Sequence, residues 1–339
     1  MRRGLACLLT GCIGCAPAAQ ATASLADCAR IADDATRLAC YDGLAAREAA
    51  APVAAGPDAS VPSSTRAATA PEDTELDRQW QLRPHLRRGP FQLLPYRSVY
   101  ALAHATTAIN NSPSSPTRAV GLQDVQLQEL EAKVQLSFKS KLVENAFGGA
   151  TDLWFGYTQQ SYWQAANTRY SSPFRETDYE PELIALHPVD AALAGLRMRY
   201  AALSVTHESN GRGEVLSRSW NRLIGDIAAE TGAWTFHLRP WLRLDPASGA
   251  RDDNPDIQDF VGRGELIIAY RNEGQVVTLR ARHSLRAGAR SHGSARLDWA
   301  FPLTGSLHGH VQLFRGYGES LIDYNHPQST LGIGVSFFD

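Results

Sequence analysis

The sequence predicts an all-β protein: a twelve-stranded antiparallel transmembrane β-barrel preceded by a short N-terminal periplasmic extension. Three observations carry that expectation. From about residue 90 onward apolar residues recur with period two, the segments showing this are commonly longer than an ordinary strand, and the first residues read as an export signal. After residue 24 no stretch approaches the roughly 20 apolar residues of a spanning helix, so any membrane would have to be crossed by strands.

Residues 1–23 open with Met1-Arg2-Arg3, pass through an apolar run from Leu5 to Ile13, and end in small residues (Ala19-Gln20-Ala21, Ala21-Thr22-Ala23), the layout of a secretory signal peptide. The run Leu9-Thr10-Gly11-Cys12 leaves lipidation of Cys12 as an alternative. Of five cysteines, Cys7, Cys12 and Cys15 lie in this leader. The remaining pair, Cys28 and Cys40, is expected to form one disulfide in an oxidising compartment; zinc is the weaker reading, because two thiolates without nearby histidines supply half a tetrahedral site. Residues 24–50 predict a small helical segment clipped by that pair, with Ile31, Leu38 and Leu44 among alanines. Residues 51–80, rich in Ala, Pro and Ser, read as a disordered linker with too little apolar surface to offset ordering entropy.

The rest, 81–339, reads as the barrel. Ala132, Val134, Leu136 and Phe138 alternate with Lys133, Gln135, Ser137 and Lys139, and Leu331, Ile333, Val335 and Phe337 with Gly332, Gly334 and Ser336. Arg and Lys on the second face suggest a wet, ion-paired interior, which favours a membrane barrel over a soluble sandwich. Trp154, Tyr157, Trp163, Trp234, Trp241 and Trp299 recur toward segment ends, as interfacial aromatics do. The segments fall at 90–105, 127–142, 151–164, 178–188, 196–209, 217–230, 234–244, 263–272, 276–285, 293–303, 307–317 and 329–339, an even number. With both ends periplasmic, 210–216 is an extracellular turn and 231–233 a periplasmic one. The 33 basic and 35 acidic residues nearly cancel, to a net charge of −2, so no excess of charge points to a nucleic-acid partner.

Chemistry concentrates around the 210–216 turn. His207 and Ser209, two residues apart, share one strand face. A hairpin centred on residue 214 pairs 207 with 221 and 209 with 219, which brings the Asn221 amide within reach of the imidazole. Arg197 and Arg199 interrupt the alternation lower on the strand, so a bulge or register change is possible there. Ser209, His207 and Asn221 then all face hydrocarbon, where polar groups are costly. Interfacial polar residues explain any one of them singly; the three together suit a hydrolytic triad in which His207 deprotonates Ser209 and Asn221 fixes the ring.

The blocks Gly156-Tyr157-Thr158-Gln159-Gln160-Ser161-Tyr162-Trp163-Gln164, Ser171 to Thr177, Tyr179-Glu180-Pro181, His207 to Arg212, Ser217 to Arg222, Asp252 to Asp256 and Gly316 to Asn325 closely resemble those of the bacterial outer-membrane phospholipase A family, across roughly 85–339. The resemblance implies a twelve-stranded outer-membrane barrel that dimerises, binds calcium and cleaves acyl chains from glycerophospholipids at the outer leaflet. It implies Ser209, His207 and Asn221 as the triad and the Gly211 amide as oxyanion donor. It implies calcium ligands in the Arg212 carbonyl and the Ser217 hydroxyl, with Ser171 offered by a second subunit. Gln159 would lie near the homodimer interface, although on the residues alone a lipid-facing glutamine at belt level is equally plausible. Asp253 corresponds to a second calcium position, with Glu214 where the family pattern has Asp. Residues 24–80 match nothing in the best-known members, and the chain ends Phe337-Phe338-Asp339 without a terminal aromatic. The competing class is a porin-like or structural barrel without activity.

Overall fold

The computed structural model describes residues 25–49, 73–118, 126–244 and 251–337. The leader at 1–23 with Cys12, most of the expected linker, and the final two residues lie outside them. A helical hairpin and a barrel form separate units. In the hairpin, α1 (Leu25–Ala29) and α2 (Asp34–Ala49) are joined by the expected disulfide between Cys28 and Cys40. The Asp33 carboxylate receives the Thr36 backbone N–H at 2.9 Å and so caps the start of α2.

The barrel is built from β1 (Leu93–Pro95), β2 (Val99–Thr106), β3 (Leu130–Ala146), β4 (Thr151–Trp163), β5 (Phe174–Leu193), β6 (Leu196–Ser209), β7 (Ser219–Thr231), β8 (Trp234–Leu244), β9 (Gly264–Asn272), β10 (Gln275–His283), β11 (Gly293–Thr304), β12 (Leu307–Gly316) and β13 (Gln328–Phe337). Every pairing is antiparallel, and β13 pairs with β2 to close the sheet. The expected strand at 90–105 is split: β1 and β2 pair with successive stretches of β3, so together they make one stave and the barrel has twelve. At the break, side chains replace the ladder. The Arg97 N–H donates to Ser137 Oγ (3.2 Å) and the Ser98 carbonyl accepts from Gln135 Nε2 (2.7 Å), which leaves the interrupted backbone partnered.

Polarity is inverted relative to a soluble domain. Leu136, Leu183, Leu203, Leu238, Leu242 and Ile333 lie exposed on the outer face, while Lys133, Lys139 and Lys141 are buried inside. Lys133 Nζ reaches Gln312 (2.6 Å) and Glu319 (2.5 Å), and Arg97 reaches Glu180 (2.5 Å) and Glu182 (2.9 Å). Of the expected aromatic girdle, Tyr157, Trp163, Trp234 and Trp299 face outward. Trp154 and Trp241 are corrected to interior positions, because they fall on the polar face of their strands and pack into two buried clusters. The suspected irregularity near Arg199 is real: β6 shifts register against β7 between Met198 and Tyr200, which turns Arg199 inward to Glu230 (3.1 Å).

The expected linker extends too far, since its last residues form helix α3 (Glu75–Trp80). A capping box between Thr74 and Asp77 starts it, and Trp80 anchors it edge-on to Tyr96, Trp154 and Tyr200 at ring distances of 5.9, 5.5 and 5.5 Å. Lys139 Nζ lies 3.7 Å from the Trp80 ring centroid. Asp77, fully buried, bonds Arg83 (2.8 Å) and Arg199. Burial opposes its charge, but the Thr74 backbone N–H and the two guanidiniums outweigh burial and hold the carboxyl below its ordinary value. Six residues do not make a stable helix alone, so this one exists by tertiary packing.

Trp80→Ala is expected to cost about 3–5 kcal/mol locally, seen as faster amide exchange across residues 73–83, while heat-modifiable migration on gels stays that of an intact barrel. A carboxyl with a lowered folded-state pKa stabilises above its unfolded value of about 4 and loses that contribution as pH falls further. The protection of α3 amides, taken relative to the intrinsic exchange rate at each pH, should therefore fall as pH drops below about 4, and an Asp77→Asn chain should lack that acid step.

Candidate active site

The β6–β7 hairpin has the register read from the sequence: His207 opposite Asn221, Glu208 opposite Trp220, and Ser209 opposite Ser219. His207 is exposed on the outer face, and its Nδ1 lies 2.8 Å from Asn221 Oδ1. An amide oxygen can only accept, so Nδ1 carries the ring proton and Nε2 is left as a base. Ser209 lies two residues further along the same face, beside Tyr179 of β5. Among the described residues no hydrogen bond joins its hydroxyl to His207.

Behind this face Glu208 points inward and accepts from Trp220 Nε1 (2.8 Å) and Arg222 Nη2 (2.7 Å). These bonds tie the two strands together one residue from His207 and Asn221, so the outer pair is positioned by ion pairing within the barrel.

The turn beyond Ser209 is organised by Asn210, which is buried. Its Nδ2 donates to Glu176 (2.9 Å) and the Leu216 carbonyl (2.8 Å), and its Oδ1 accepts the N–H groups of Arg218 (3.0 Å) and Arg212 (3.3 Å). Gly211 follows at φ +62°, where a Cβ would lie 3.2 Å from Tyr179 Cε2, so this position needs a glycine. The Arg212 side chain folds back to Glu176 (3.2 Å) and the Phe174 carbonyl (3.1 Å). Glu214 begins a single 3-10 turn that ends at Leu216.

The expected calcium donors are all oxygens, the hard ligands such an ion takes. Ser217 Oγ donates its proton to Asp253 Oδ2 (2.5 Å), which leaves its lone pairs for a cation, so this hydroxyl fits the role. Ser171 is exposed in the β4–β5 connection at φ +59°. Asp253 does not fit as a ligand: Arg118 Nε donates to its Oδ1 (2.8 Å), Nη2 bonds the same oxygen, and Ser217 takes the other. Among the described residues no group of three or more His, Cys, Asp or Glu is arranged to hold a metal. Gln159 faces outward, linked along its own strand to Tyr157 (3.0 Å) and Ser161 (3.3 Å).

Sequence reasoning missed Glu208, Asn210 and Arg118 as site residues. Alternation could have found the first, since Glu208 must oppose His207 and Ser209. Nothing local could have found Arg118, which contacts Asp253 across 135 residues of sequence.

The family model described as phospholipase A1 matches residues 76–337. A Neisseria meningitidis serogroup B protein carrying a provisional phospholipase A1 name is 38% identical over 98% of this chain and 95% of its own length. That match takes in the N-terminal extension. Phospholipase A1 of Escherichia coli K12 is 36% identical over 74% of this chain and 83% of its own. Among solved structures, an asparagine-to-alanine active-site mutant of outer membrane phospholipase A from Escherichia coli aligns with TM-score 0.66 at 34% identity, covering 75% of this chain and 94% of that one. The Salmonella typhi outer membrane phospholipase dimer with bound calcium aligns with TM-score 0.67 at 34% identity, covering 76% and 95%.

Gly211→Ala forces a side chain into the left-handed region, at a cost of about 1 kcal/mol. The turn should loosen, read as roughly fivefold faster trypsin cleavage after Arg212; an unchanged rate would mean that the turn does not depend on this backbone conformation.

Proposed function

Because the chain belongs to the phospholipase A1 family and is an outer-membrane phospholipase β-barrel of the bacterial outer membrane, we propose that it hydrolyses acyl esters of glycerophospholipids as a serine esterase with Ser209 as nucleophile. The observation that carries this is the hydrogen bond between His207 and Asn221 on the hydrocarbon-facing side of the β6–β7 hairpin. A soluble substrate would not meet these groups there; an acyl ester of a bilayer lipid would.

In this reading His207 Nε2 takes the Ser209 proton as Oγ attacks the ester carbonyl, and a C–O bond forms while the carbonyl π pair moves onto oxygen. The Gly211 N–H receives the resulting oxyanion. Collapse breaks the ester C–O bond, the imidazolium returns the proton to the departing lyso-lipid alkoxide, and water hydrolyses the acyl-serine by the same steps in reverse order of roles. Asn221 keeps the proton on Nδ1. A neutral amide suits a lipid-facing strand, where a carboxylate would carry a large desolvation cost. That an asparagine is an active-site residue of the Escherichia coli relative agrees with this role.

Calcium, held by the Arg212 carbonyl and the Ser217 hydroxyl with Ser171 of a second copy, would supply positive charge beside the developing oxyanion. Activation by homodimerisation follows from that shared donor set, and the calcium-bound Salmonella typhi dimer speaks for it. Gln159, a polar group on the outer face, belongs to the dimer interface in this reading. The rim with long connections, which carries the 210–218 turn, would face the outer leaflet. Residues 1–23 would be the export signal and 24–50 a Cys-clipped periplasmic segment. Both A1 and A2 specificity, and cleavage of lysophospholipids, are compatible with a lipid-facing site.

The test is hydrolysis of phospholipid in detergent micelles with calcium or with chelator. Ser209→Ala and His207→Ala should lose more than about 10³-fold in kcat. A hydrogen bond to a charged group contributes about 1.5–3 kcal/mol, so Asn221→Ala should lose roughly 10- to 150-fold. Chelation should abolish turnover. A Ser209→Ala chain as active as the parent removes the nucleophile assignment.

A further inference from the structure

Asp253 is the place where the structure departs from a shared donor set. It is 8% exposed, and both of its carboxylate oxygens are taken, one by Arg118 and one by Ser217. Arg118, in the long connection between β2 and β3, binds its Oδ1 through Nε at 2.8 Å and through Nη2. The segment bearing Arg118 is clasped onto the same turn by its own hydroxyls. Ser115 Oγ donates to the Asp253 carbonyl (2.5 Å), Thr117 Oγ1 to the Asp252 carbonyl (2.6 Å), and the Arg118 N–H to Ser115 Oγ (3.1 Å). Neighbouring Asp252 is taken by Arg243 at 2.6 and 2.7 Å.

We propose that Arg118 is the built-in counter-cation of Asp253, converting that carboxylate from a metal ligand into a positioning residue that holds the Ser217 hydroxyl ready to ligate; this rests on the reading of Ser217 as a calcium donor given above. A hydroxyl has one proton and two lone pairs. To offer a lone pair to a cation, Ser217 must send its proton elsewhere, and Asp253 Oδ2 receives it at 2.5 Å. An uncompensated carboxylate beside that hydroxyl would be the stronger ligand and would draw a hard cation to itself. The Arg118 guanidinium removes that competition, because two of its donors occupy Oδ1 and its charge cannot be titrated away. The monomer then has no calcium position at Asp253, and the donor set of Ser217 and Arg212 waits for the second copy.

The experiment uses the full chain as a monomer in detergent, without substrate, titrated with calcium chloride by calorimetry and with terbium by luminescence. The parent should bind neither ion at this position. Arg118→Ala should acquire a calcium position at least about tenfold tighter than the weakest binding the titration detects, a difference of about 1.4 kcal/mol. Asp253→Asn in the Arg118→Ala background should remove the new position, and Arg118→Lys should restore the parent's behaviour. Two results overturn the proposal: calcium binding by the parent monomer that Asp253→Asn abolishes, or no gained binding in an Arg118→Ala chain whose gel migration shows an intact barrel. Calcium-independent turnover by the parent would instead sink the reading of Ser217 as a ligand, and it is measured separately from these titrations.

Discussion

Every backbone N–H and C=O within a hydrocarbon layer needs a partner inside the protein, and the rest of the molecule follows from that constraint. A closed antiparallel sheet meets it, with β13 pairing to β2 so that no edge is left. Closure imposes a strict alternation of faces, so apolar side chains go outward and the charged ones inward. Where the ladder breaks between β1 and β2, Ser137 and Gln135 side chains take over the lost backbone partners. Where β6 bulges, Arg199 turns inward to acids already in the lumen.

The same constraint makes the site legible as a site. A serine, a histidine and an asparagine on the outer face spend desolvation energy that a structural barrel would avoid. Their precision comes from the opposite face. Glu208 bonds Trp220 and Arg222 inside the barrel, and that internal clamp sets the strand register from which the His207–Asn221 bond follows. The turn above them is equally determined, because Asn210 uses its amide to tie Leu216, Arg212, Arg218 and Glu176 into one unit.

Two segments from outside this hairpin set limits on it. At the short-turn rim, α3 fills the lumen through Trp80 and Asp77 and rigidifies the lower half of β4 and β6. At the long-loop rim, the connection after β2 delivers Arg118 to Asp253 and so decides the charge beside Ser217. The first acts on the strands far below His207 and Asn221, and only the second brings charge beside the 210–218 turn.

The barrel, its twelve staves and the cross-strand partner of His207 can all be read from residue order alone. Period-two patterning excludes a one-residue slip in register, which would turn every apolar side chain the wrong way. Two expected strands, 196–209 and 234–244, coincide with the structure to the residue. Tertiary structure alone decided the rest. Helix α3 is too short to announce itself and is held by aromatic contacts with strands far along the chain. Trp154 and Trp241 resemble belt aromatics by position along their strands, and the filled lumen shows what they pack against once alternation turns them inward. Asp253 could be read as a metal ligand until Arg118 reached it across the barrel mouth, because the charge on a carboxylate is set by its neighbours in space and local pattern carries no record of them.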